Sequence, residues 1–285
     1  MVASRTNSII FFIANAPDSI LPAVSNRAPL NAMTSLVGHR GFPARYPENT
    51  LSGIEAAIRA GAKAVEFDVQ CSANGTAYVF HDDNLLRVTG CDALIYQCDD
   101  ARLQGLSAHE PGRFGTQFLG EPLCTLQQVV ELLLDYPEVT VFIEPKTHSL
   151  VHFGLAALMD TILATSHALG PRRQMISFHH PALAYARANG CAEIVWVLDD
   201  FSAASAAIAR KLRPQTLCAD IAILPAQLPQ WLDCQWMIYP VNRADQLEAY
   251  LHMGVDYIET DDIAALLNQK LDWQRAARAG EPLPA

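Results

Sequence analysis

Residues 35–90 read SLVGHRGFPARYPENTLSGIEAAIRAGAKAVEFDVQCSANGTAYVFHDDNLLRVTG, and short apolar runs in this stretch alternate with polar clusters. The apolar runs cover Ser35 to Gly38, Ala64 to Val69 and Ala77 to Phe80. Runs of this length, bounded by turn residues, are typical of buried strands. Polar side chains at the ends of such strands project into a shared cleft instead of a core. The stretch therefore predicts a buried sheet with a catalytic site at one edge.

Five residues of this stretch have the chemistry that a catalytic site requires. His39 and His81 can each exchange a proton near neutral pH, and Arg40 offers fixed donors that match two phosphate oxygens at once. Glu66 and Asp68 are two residues apart in one strand, so both carboxylates lie on one face. Because an unpaired buried charge is costly, two inward acids must be paired, protonated or bound to a metal.

The rest of the chain alternates strand-like runs with amphipathic helical patterns. The predicted strands cover residues 35–39, 63–69, 139–144, 173–178, 193–198, 215–220, 235–241 and 255–259. The predicted helices include residues 50–60, 125–135, 151–167, 202–211, 244–252 and 261–269. Eight such units predict an α/β protein with a single (β/α)8 TIM barrel, which we expect to span residues 35–285.

The run at residues 76–81 lies too close to the strand at 63–69 for a parallel crossover. We therefore expect a hairpin, which returns His81 to the acids of the second strand. Residues 82 to about 122 lack clear alternation and contain five glycines. They predict a small loop-rich insertion after the hairpin, over the active-site end of the barrel, where barrels carry functional loops.

The strand predicted at residues 139–144 is followed by Pro145 and Lys146. Glu144 and Lys146 have alternating spacing, so both can face the cleft. Proline removes a ladder hydrogen bond, and we expect the strand to end at Glu144 with Lys146 on the following loop. Glu144 adds a third carboxylate to Glu66 and Asp68. Three carboxylates without a matching surplus of nearby cations fit a hard divalent ion.

Several of these residues also have a purely structural interpretation. The two acids of the second strand could be ion-paired with Arg40 or Lys63. The segment before the first helix could be only a helix start, with Asn49 or Thr50 as its cap and Glu48 beside the positive end of the helix. Both interpretations stay open at the level of the sequence.

Two later pairs of polar residues, His179-His180 and Asp261-Asp262, follow predicted strands. We interpret both pairs as loop or helix-start residues without a metal-binding role.

Composition limits the class of protein. The chain has 285 residues, of which 51% are hydrophobic and 18% charged, which is typical of a soluble globular protein with an ample core. The net charge of −10 argues against a nucleic-acid partner but leaves room for a local basic site that captures a phosphate. After residue 37, no run approaches the length of a membrane span.

The cysteines and the N-terminal segment bear on localisation. Seven cysteines, an odd number without a C-x-x-C pair, predict dispersed reduced thiols and favour the cytoplasm. Residues 1–34 form an N-terminal extension in which residues 1–16 imitate a secretory signal, although the apolar core at Ile9 to Ile13 is short. Two alternatives remain: a poor signal that would make the protein secreted or periplasmic, or an extension that adds nothing to the fold, with Met33 as an alternative start.

The order and spacing of these motifs resemble the glycerophosphodiester phosphodiesterase family of phospholipase C-like barrels. The family blocks HRG, PENT, E-x-D, HD and L-x-R-x-T-G appear here within His39 to Gly41, Pro47 to Thr50, Glu66 to Asp68, and His81 to Gly90. Five blocks in this order within about fifty residues are a strong signal. The later blocks E-x-K, SF, WTVN and GVD…TD correspond to Glu144 to Lys146, Ser177-Phe178, Tyr239 to Asn242, and Gly254 to Asp261. Pro145, Tyr239 and Pro240 depart from the family pattern.

The resemblance implies a metal-dependent hydrolase that converts small glycerophosphodiesters to glycerol 3-phosphate and an alcohol. We expect proton transfer by His39 and His81, and a divalent ion, Mg²⁺ or Ca²⁺, on Glu66, Asp68 and Glu144. The expected contacts to phosphate and substrate are Arg40, Lys146, Glu48, Asn49, Phe178, Tyr239 and Asn242. The sequence leaves open which histidine is the base, which ion binds, which headgroup is preferred, and whether the protein is a homodimer.

Three other functions are consistent with parts of the sequence. A related barrel could act on lysophospholipids or sphingomyelin as a phospholipase D, which an apolar channel beside the metal would favour. A phosphate-binding barrel without catalysis would not need both histidines and every acid. A glycosidase would need two acids at a fixed separation without a metal between them, and the two histidines and the arginine argue against it.

Overall fold

A computed structural model describes residues 34–279, and the fold is an α/β barrel. The strands are β1 (Ser35–Gly38), β2 (Ala64–Cys71), β3 (Ala77–Val79), β4 (Thr140–Pro145), β5 (Arg173–Ser177), β6 (Ile194–Leu198), β7 (Thr216–Asp220), β8 (Gln235–Tyr239) and β9 (Tyr257–Thr260). The helices are α1 (Leu51–Arg59), α2 (Leu86–Thr89), α3 (Asp100–Gln104), α4 (Pro111–Phe114), α5 (Leu126–Leu134), α6 (Thr147–Phe153), α7 (Leu155–Thr165), α8 (His180–Ala188), α9 (Ala203–Leu212), α10 (Ala244–Met253) and α11 (Ile263–Ala279). The predicted signal-like segment at residues 1–16 lies outside the described residues.

The barrel closes through β1, which pairs in parallel with both β2 and β9. Val37 is in register with Ala64 on one side and with Glu259 on the other. Eight strands of the sheet are mutually parallel, and β3 is an antiparallel addition at the edge of β2. The predicted single (β/α)8 TIM barrel is therefore confirmed.

Alternation along β2 separates the core from the site. All eight residues of β2 are buried, because one face of the strand lies inside the barrel and the other is covered by helices. Val65, Phe67 and Val69 belong to the large hydrophobic cluster between the sheet and its helices. Glu66 and Asp68 therefore face the interior of the barrel, as the sequence predicted.

The hairpin after β2 is also confirmed. Val69 pairs with Val79 in antiparallel register, and Phe80 donates its N–H to the carbonyl oxygen of Asp68 at 3.0 Å. The chain therefore returns His81 to the end of β2.

The segment between β3 and α5 contains more structure than a loop-rich insertion suggests. It includes α2, α3, α4 and a short 3₁₀ helix, Ile95–Gln97. Its apolar side chains form a second hydrophobic cluster, which includes Phe80, Leu85, Val88 and Leu103. The insertion therefore has a small core of its own, which fixes its backbone against the end of the barrel.

Two local predictions are wrong in detail. The helix predicted at 151–167 is divided into α6 and α7 by Gly154, whose φ of +83° interrupts the helical backbone. Strand β4 continues to Pro145, which is in register with Val69. The backbone N–H of Lys146 donates to the carbonyl oxygen of Val69 at 3.0 Å, so the hydrogen bonds between β2 and β4 continue beyond Pro145. Lys146 then occupies the N-cap position of α6.

Within residues 34–279, no helix has the length and apolar character that a membrane span requires.

Candidate active site

The polar residues predicted from the sequence meet at the carboxyl ends of the barrel strands. This is the end at which TIM-barrel enzymes place their active sites. The residues whose side chains interact there are His39, Arg40, Glu66, Asp68, His81, Glu144, Lys146, Glu259 and Asp261.

Three carboxylates form the centre of the site. Glu66, Asp68 and Glu144 each offer an oxygen atom, and these atoms all lie within 4.8 Å of one another. Glu66 and Asp68 are 2% and 1% exposed, and among the described residues Glu66 Oε1 has no hydrogen-bond partner. Several hard oxygen donors around an unsatisfied buried oxygen fit a Mg²⁺ or Ca²⁺ ion.

The charge balance of this cluster supports the same interpretation. Burial raises the pKa of Glu66 well above its ordinary value, and the neighbouring charges of Asp68 and Glu259 raise it further. Burial likewise raises the pKa of Glu144. Burial also acts to raise the pKa of Asp68, but the charges of Lys146 and other nearby cations outweigh it, and the pKa is lowered. A bound cation would favour the charged forms of Glu66 and Glu144, which burial disfavours in the metal-free protein.

Lys146 and Arg40 supply the two nearest fixed positive charges. Lys146 Nζ lies 3.1 Å from Asp68 Oδ1 and 3.3 Å from Glu144 Oε2. Arg40 Nε lies 3.2 Å from Asp68 Oδ2 and forms an ion pair without hydrogen-bond geometry. The backbone N–H of Arg40 donates to Glu66 Oε2 at 3.1 Å. The ion pairing with Arg40 that the sequence left open is therefore present, together with the three-acid cluster.

The backbone after β1 places Arg40 at this position. Arg40 has a φ of +52°, which is uncommon for a residue with a side chain. Gly41 follows with a φ of +90°, and a Cβ atom there would lie 2.7 Å from the carbonyl carbon of Gly53. Only glycine allows this turn to pack against the start of α1.

His39 is held by a carboxylate from the opposite end of the chain. His39 Nδ1 lies 2.8 Å from Asp261 Oδ1. The amide group of Asn242 donates from Nδ2 to Asp261 Oδ2 at 2.6 Å and accepts the Asp261 N–H at Oδ1 at 2.8 Å. Burial and the Arg40 charge act to lower the pKa of His39, but the hydrogen bond and charge of Asp261 outweigh them and raise it.

His81 is held by its neighbour in sequence. His81 Nδ1 lies 2.7 Å from Asp82 Oδ1, and Gln70 Nε2 donates to the His81 carbonyl oxygen at 2.8 Å. Burial lowers the pKa of His81 and outweighs the opposing effects of Asp68 and Asp82. The pKa values of the two imidazoles are thus shifted in opposite directions. In both rings Nδ1 is engaged, so Nε2 is the nitrogen left for proton transfer.

The segment before α1 combines the two interpretations that the sequence left open. Thr50 is the helix cap, since its side chain accepts the N–H of Gly53 at 3.1 Å. Asn49 belongs to the site: its Nδ2 donates to Asp68 Oδ2 at 2.9 Å, and its Oδ1 accepts the Asp68 N–H at 3.2 Å. Glu48 accepts a hydrogen bond from Arg40 Nη1 at 3.1 Å.

The remaining predicted contacts lie at the same end of the barrel. Phe178 directly follows β5 and is 37% exposed, and Tyr239 is the last residue of β8. Asn242 was predicted as a substrate contact, and the structure engages its amide with Asp261. His179 occupies the N-cap position of α8 without a side-chain cap hydrogen bond, in keeping with its interpretation as a helix-start residue.

Sequence reasoning missed two acids of the site. Asp261 was interpreted as a helix-start residue, although its position directly after the last strand could have suggested a role. Glu259 lies two residues earlier on β9 and is 3% exposed, and within the described part of the chain its Oε1 has no hydrogen-bond partner. Glu259 and Asp261 have the same E-x-D spacing as Glu66 and Asp68, and this spacing could have indicated that they share a face. The closure of the barrel brings Glu259 near His39.

We expect Glu259 to make the metal-free protein less stable as the pH rises. Burial raises the pKa of Glu259 from 4.5 to about 7. Between these values the folded protein holds a proton that the unfolded chain has lost, so the free energy of unfolding falls with rising pH, by about 1.4 kcal/mol for each pKa unit. Urea unfolding at several pH values should show a smaller fall for Glu259→Gln than for the parent. Equal falls in both proteins would contradict this account, and Glu131→Gln, on the exposed surface of α5, serves as the control.

The fold and the site together define a class of protein. A parallel barrel that presents two carboxylate-held imidazoles, two phosphate-suited cations and a cluster of acids at the carboxyl ends of its strands is a phosphodiesterase barrel. Residues 39–265 match the model of the glycerophosphoryl diester phosphodiesterase family. The chain belongs to this family.

Individual relatives agree with this assignment. The chain is 28% identical over 244 residues to a glycerophosphodiester phosphodiesterase of Caldanaerobacter subterraneus. The aligned region covers 82% of this chain and 97% of that protein. It is 31% identical over 152 residues to one of Bacillus altitudinis, which covers 53% of this chain and 61% of that protein.

Solved structures share the fold. A phosphodiesterase of Oleispira antarctica, in complex with the product sn-glycerol-3-phosphate, superposes with a TM-score of 0.75 at 22% identity over 84% of this chain and 97% of that one. A glycerophosphodiester phosphodiesterase of Parabacteroides distasonis gives a TM-score of 0.70 at 23% identity over 86% and 98%.

Proposed function

We propose that the protein hydrolyses glycerophosphodiesters to glycerol 3-phosphate and an alcohol by metal-dependent, two-histidine catalysis. The observation that carries the proposal is the position of Arg40 and Lys146 around the acid cluster, with a carboxylate-held histidine from β1 and another from the β3 hairpin beside it. Family membership and the named activities of the relatives support the substrate class.

In the proposed site, Glu66, Asp68 and Glu144 hold one divalent ion, Mg²⁺ or Ca²⁺. When bound, such an ion would stabilise negative charge on the phosphoryl oxygens. The unsatisfied Glu66 Oε1 and the raised pKa values of Glu66 and Glu144 support this assignment, because a bound cation would give that oxygen a partner and would favour the carboxylate charges that burial disfavours.

Arg40 and Lys146 neutralise the remaining negative charge of the phosphate. Both cations contact Asp68, so they lie beside the place where a non-bridging oxygen would be held. Arginine matches two phosphate oxygens at once, whereas lysine acts as a compact point charge. Asn49 and Glu48 hold Asp68 and Arg40 in these positions. Phe178 and Tyr239 are the proposed walls of the substrate cleft.

His39 and His81 divide the proton transfers. A leaving oxygen needs a proton, and the raised pKa of His39 suits the imidazole that supplies it. An attacking hydroxyl must lose a proton, and the lowered pKa of His81 suits the imidazole that accepts it. We therefore assign His39 as the acid and His81 as the base of the first step, each through Nε2.

The seven cysteines are all free thiols, and five of them are buried. Reduced thiols in this number support the cytoplasmic location expected from the sequence.

A coupled assay for glycerol 3-phosphate tests the proposed function. The protein is incubated with glycerophosphocholine, glycerophosphoethanolamine and glycerophosphoglycerol, with and without chelator, and with lysophosphatidylcholine as the competing substrate class. We expect glycerol 3-phosphate from the water-soluble diesters, and loss of the activity with chelator that returns when Mg²⁺ or Ca²⁺ is added. Release of choline from the lysophospholipid alone would overturn the substrate class, and full activity in chelator would overturn the metal dependence.

A further inference from the structure

One arginine of the insertion connects the two halves of the site. Arg87 lies in α2, and its guanidinium group makes four hydrogen bonds. Nε and Nη2 donate to the two oxygens of Asp82 at 2.7 and 3.0 Å. Nη1 and Nη2 donate to the two oxygens of Glu48 at 2.8 and 2.7 Å. Paired contacts of this kind fix both the position and the orientation of each carboxylate.

Each of these carboxylates also holds a residue of the proposed chemistry. Asp82 Oδ1 lies 2.7 Å from Nδ1 of His81. Glu48 Oε1 accepts a hydrogen bond from Arg40 Nη1 at 3.1 Å. A continuous chain of hydrogen bonds therefore runs from His81 through Asp82, Arg87 and Glu48 to Arg40.

The charge of Arg87 affects both partners. Glu48 is buried, which acts to raise its pKa, but Arg40 and Arg87 outweigh burial and lower the pKa to about 2. Asp82 is partly buried, and hydrogen bonds from His81 and Arg87 hold its pKa below the ordinary value. Without Arg87, Glu48 would be left with Arg40 as its cation and would draw the Arg40 guanidinium towards itself. Asp82 would act on His81 with its full negative charge.

The fold holds Arg87 in place through the core of the insertion. Val88, the next residue, is buried in the second hydrophobic cluster. A second residue of the insertion also holds Glu48, because Glu110 Oε1 accepts the backbone N–H of Glu48 at 2.6 Å. Glu110 is in turn ion-paired with Arg113. The insertion therefore fixes both the side chain and the backbone of Glu48.

We infer that Arg87 is a positioning residue, which aligns His81 and Arg40 with each other through the carboxylates of Asp82 and Glu48. The inference rests on the proposed function for its effect on turnover, whereas the alignment itself can be measured without catalysis. The insertion then forms part of the active-site support, in addition to covering the mouth of the barrel.

Three variants test this assignment in the full-length protein. Arg87→Gln removes the charge and most of the donors, and Arg87→Lys keeps the charge without the planar fork. Arg102→Gln is the matched control, because Arg102 lies in the same insertion and contacts neither Glu48 nor Asp82. Melting temperature is recorded for each variant, and kcat and KM are measured on glycerophosphocholine per folded molecule. The titration of the His81 ring proton is followed by NMR in metal-free protein.

We expect kcat/KM of Arg87→Gln to fall about a hundredfold, a loss of the size that a displacement of about 1 Å in a catalytic group can produce. The pKa of His81 should rise, because Asp82 loses its competing cation. The other charged groups around His81 are Asp68, Glu48, Arg40 and Lys146, and the variant replaces none of them. Arg87→Lys should recover only part of the loss, since an ammonium group cannot hold two carboxylates in paired contacts. Arg102→Gln should behave like the parent.

Two outcomes would overturn the assignment. The first is an Arg87→Gln protein with parental kcat/KM and a parental His81 titration, even if its melting temperature falls. The second is full recovery in Arg87→Lys, which would show that charge alone matters. If the parent itself fails to turn over any glycerophosphodiester, the proposed function fails, but the NMR comparison still decides whether Arg87 positions His81.

Discussion

His39→Ala and His81→Ala should each lower the turnover of glycerophosphocholine by roughly two to four orders of magnitude, the usual contribution of a positioned acid or base. Substrate binding should change little, because Arg40 and Lys146, the proposed phosphate contacts, remain. The double variant should lose less than the sum of the two single effects on a free-energy scale, since the two imidazoles act as a unit. His167→Ala, at an exposed position away from the site, is the control.

The acidity of the leaving group separates the roles of the two histidines. A nitrophenyl phosphodiester releases a stable phenolate and does not need a proton from the enzyme. We therefore expect this substrate to restore much of the rate to His39→Ala and little to His81→Ala. The opposite pattern would reverse the assignment of acid and base. Near-parental rates of both variants on glycerophosphocholine would contradict the two-histidine mechanism.

Loss of any carboxylate of the central cluster should also lower turnover strongly, because it weakens the binding of the metal ion. Glu66→Gln, Asp68→Asn and Glu144→Gln keep the shape of each side chain and remove its charge. Replacing a residue that only supports a metal ligand commonly costs 10- to 100-fold in metal affinity or activity. We expect at least that loss for each variant, and calorimetric titration with Mg²⁺ and Ca²⁺ should show it together with the loss of turnover.

A stability measurement distinguishes this result from misfolding. Burial and neighbouring acids raise the pKa of Glu66 well above 4.5. At neutral pH the folded metal-free protein must therefore either hold a proton that the unfolded chain has lost or bury a charge, and either one lowers its stability. Metal-free Glu66→Gln should therefore melt at a higher temperature than the parent while it binds metal more weakly. Glu131→Gln, on the surface of α5, should change neither property. A variant that carries all three substitutions and still binds metal as tightly as the parent would show that these carboxylates do not form the metal site.

Local spacing in the sequence predicted the part of the site that lies on single strands. Glu66 and Asp68, and likewise Glu144 and Lys146, alternate along one strand, and alternation alone places each pair on one face. The hairpin that returns His81 followed from the short distance between two apolar runs. These inferences needed no knowledge of contacts between distant parts of the chain.

The residues that were missed depend on such distant contacts. Asp261 meets His39 across 222 residues of sequence, and no local pattern connects them. Glu259 alternates with Asp261 along the chain, but its proximity to His39 depends on the pairing of β9 with β1. Arg87 belonged to a predicted motif, but its two carboxylate partners come from different segments. The core of the insertion was missed because its short helices lack a clear period.

The pairing of His39 with Asp261 also bears on the order in which the protein becomes active during its synthesis. The acids of the central cluster, with Arg40 and Lys146, all lie between residues 40 and 146 and leave the ribosome before β5 to β9. The carboxylate that orients His39 follows β9, the strand that closes the barrel. The residues of the proposed phosphate site are therefore synthesised before the carboxylate that orients this histidine. Under the proposed mechanism, hydrolysis would begin only after β9 has been made and has paired with β1.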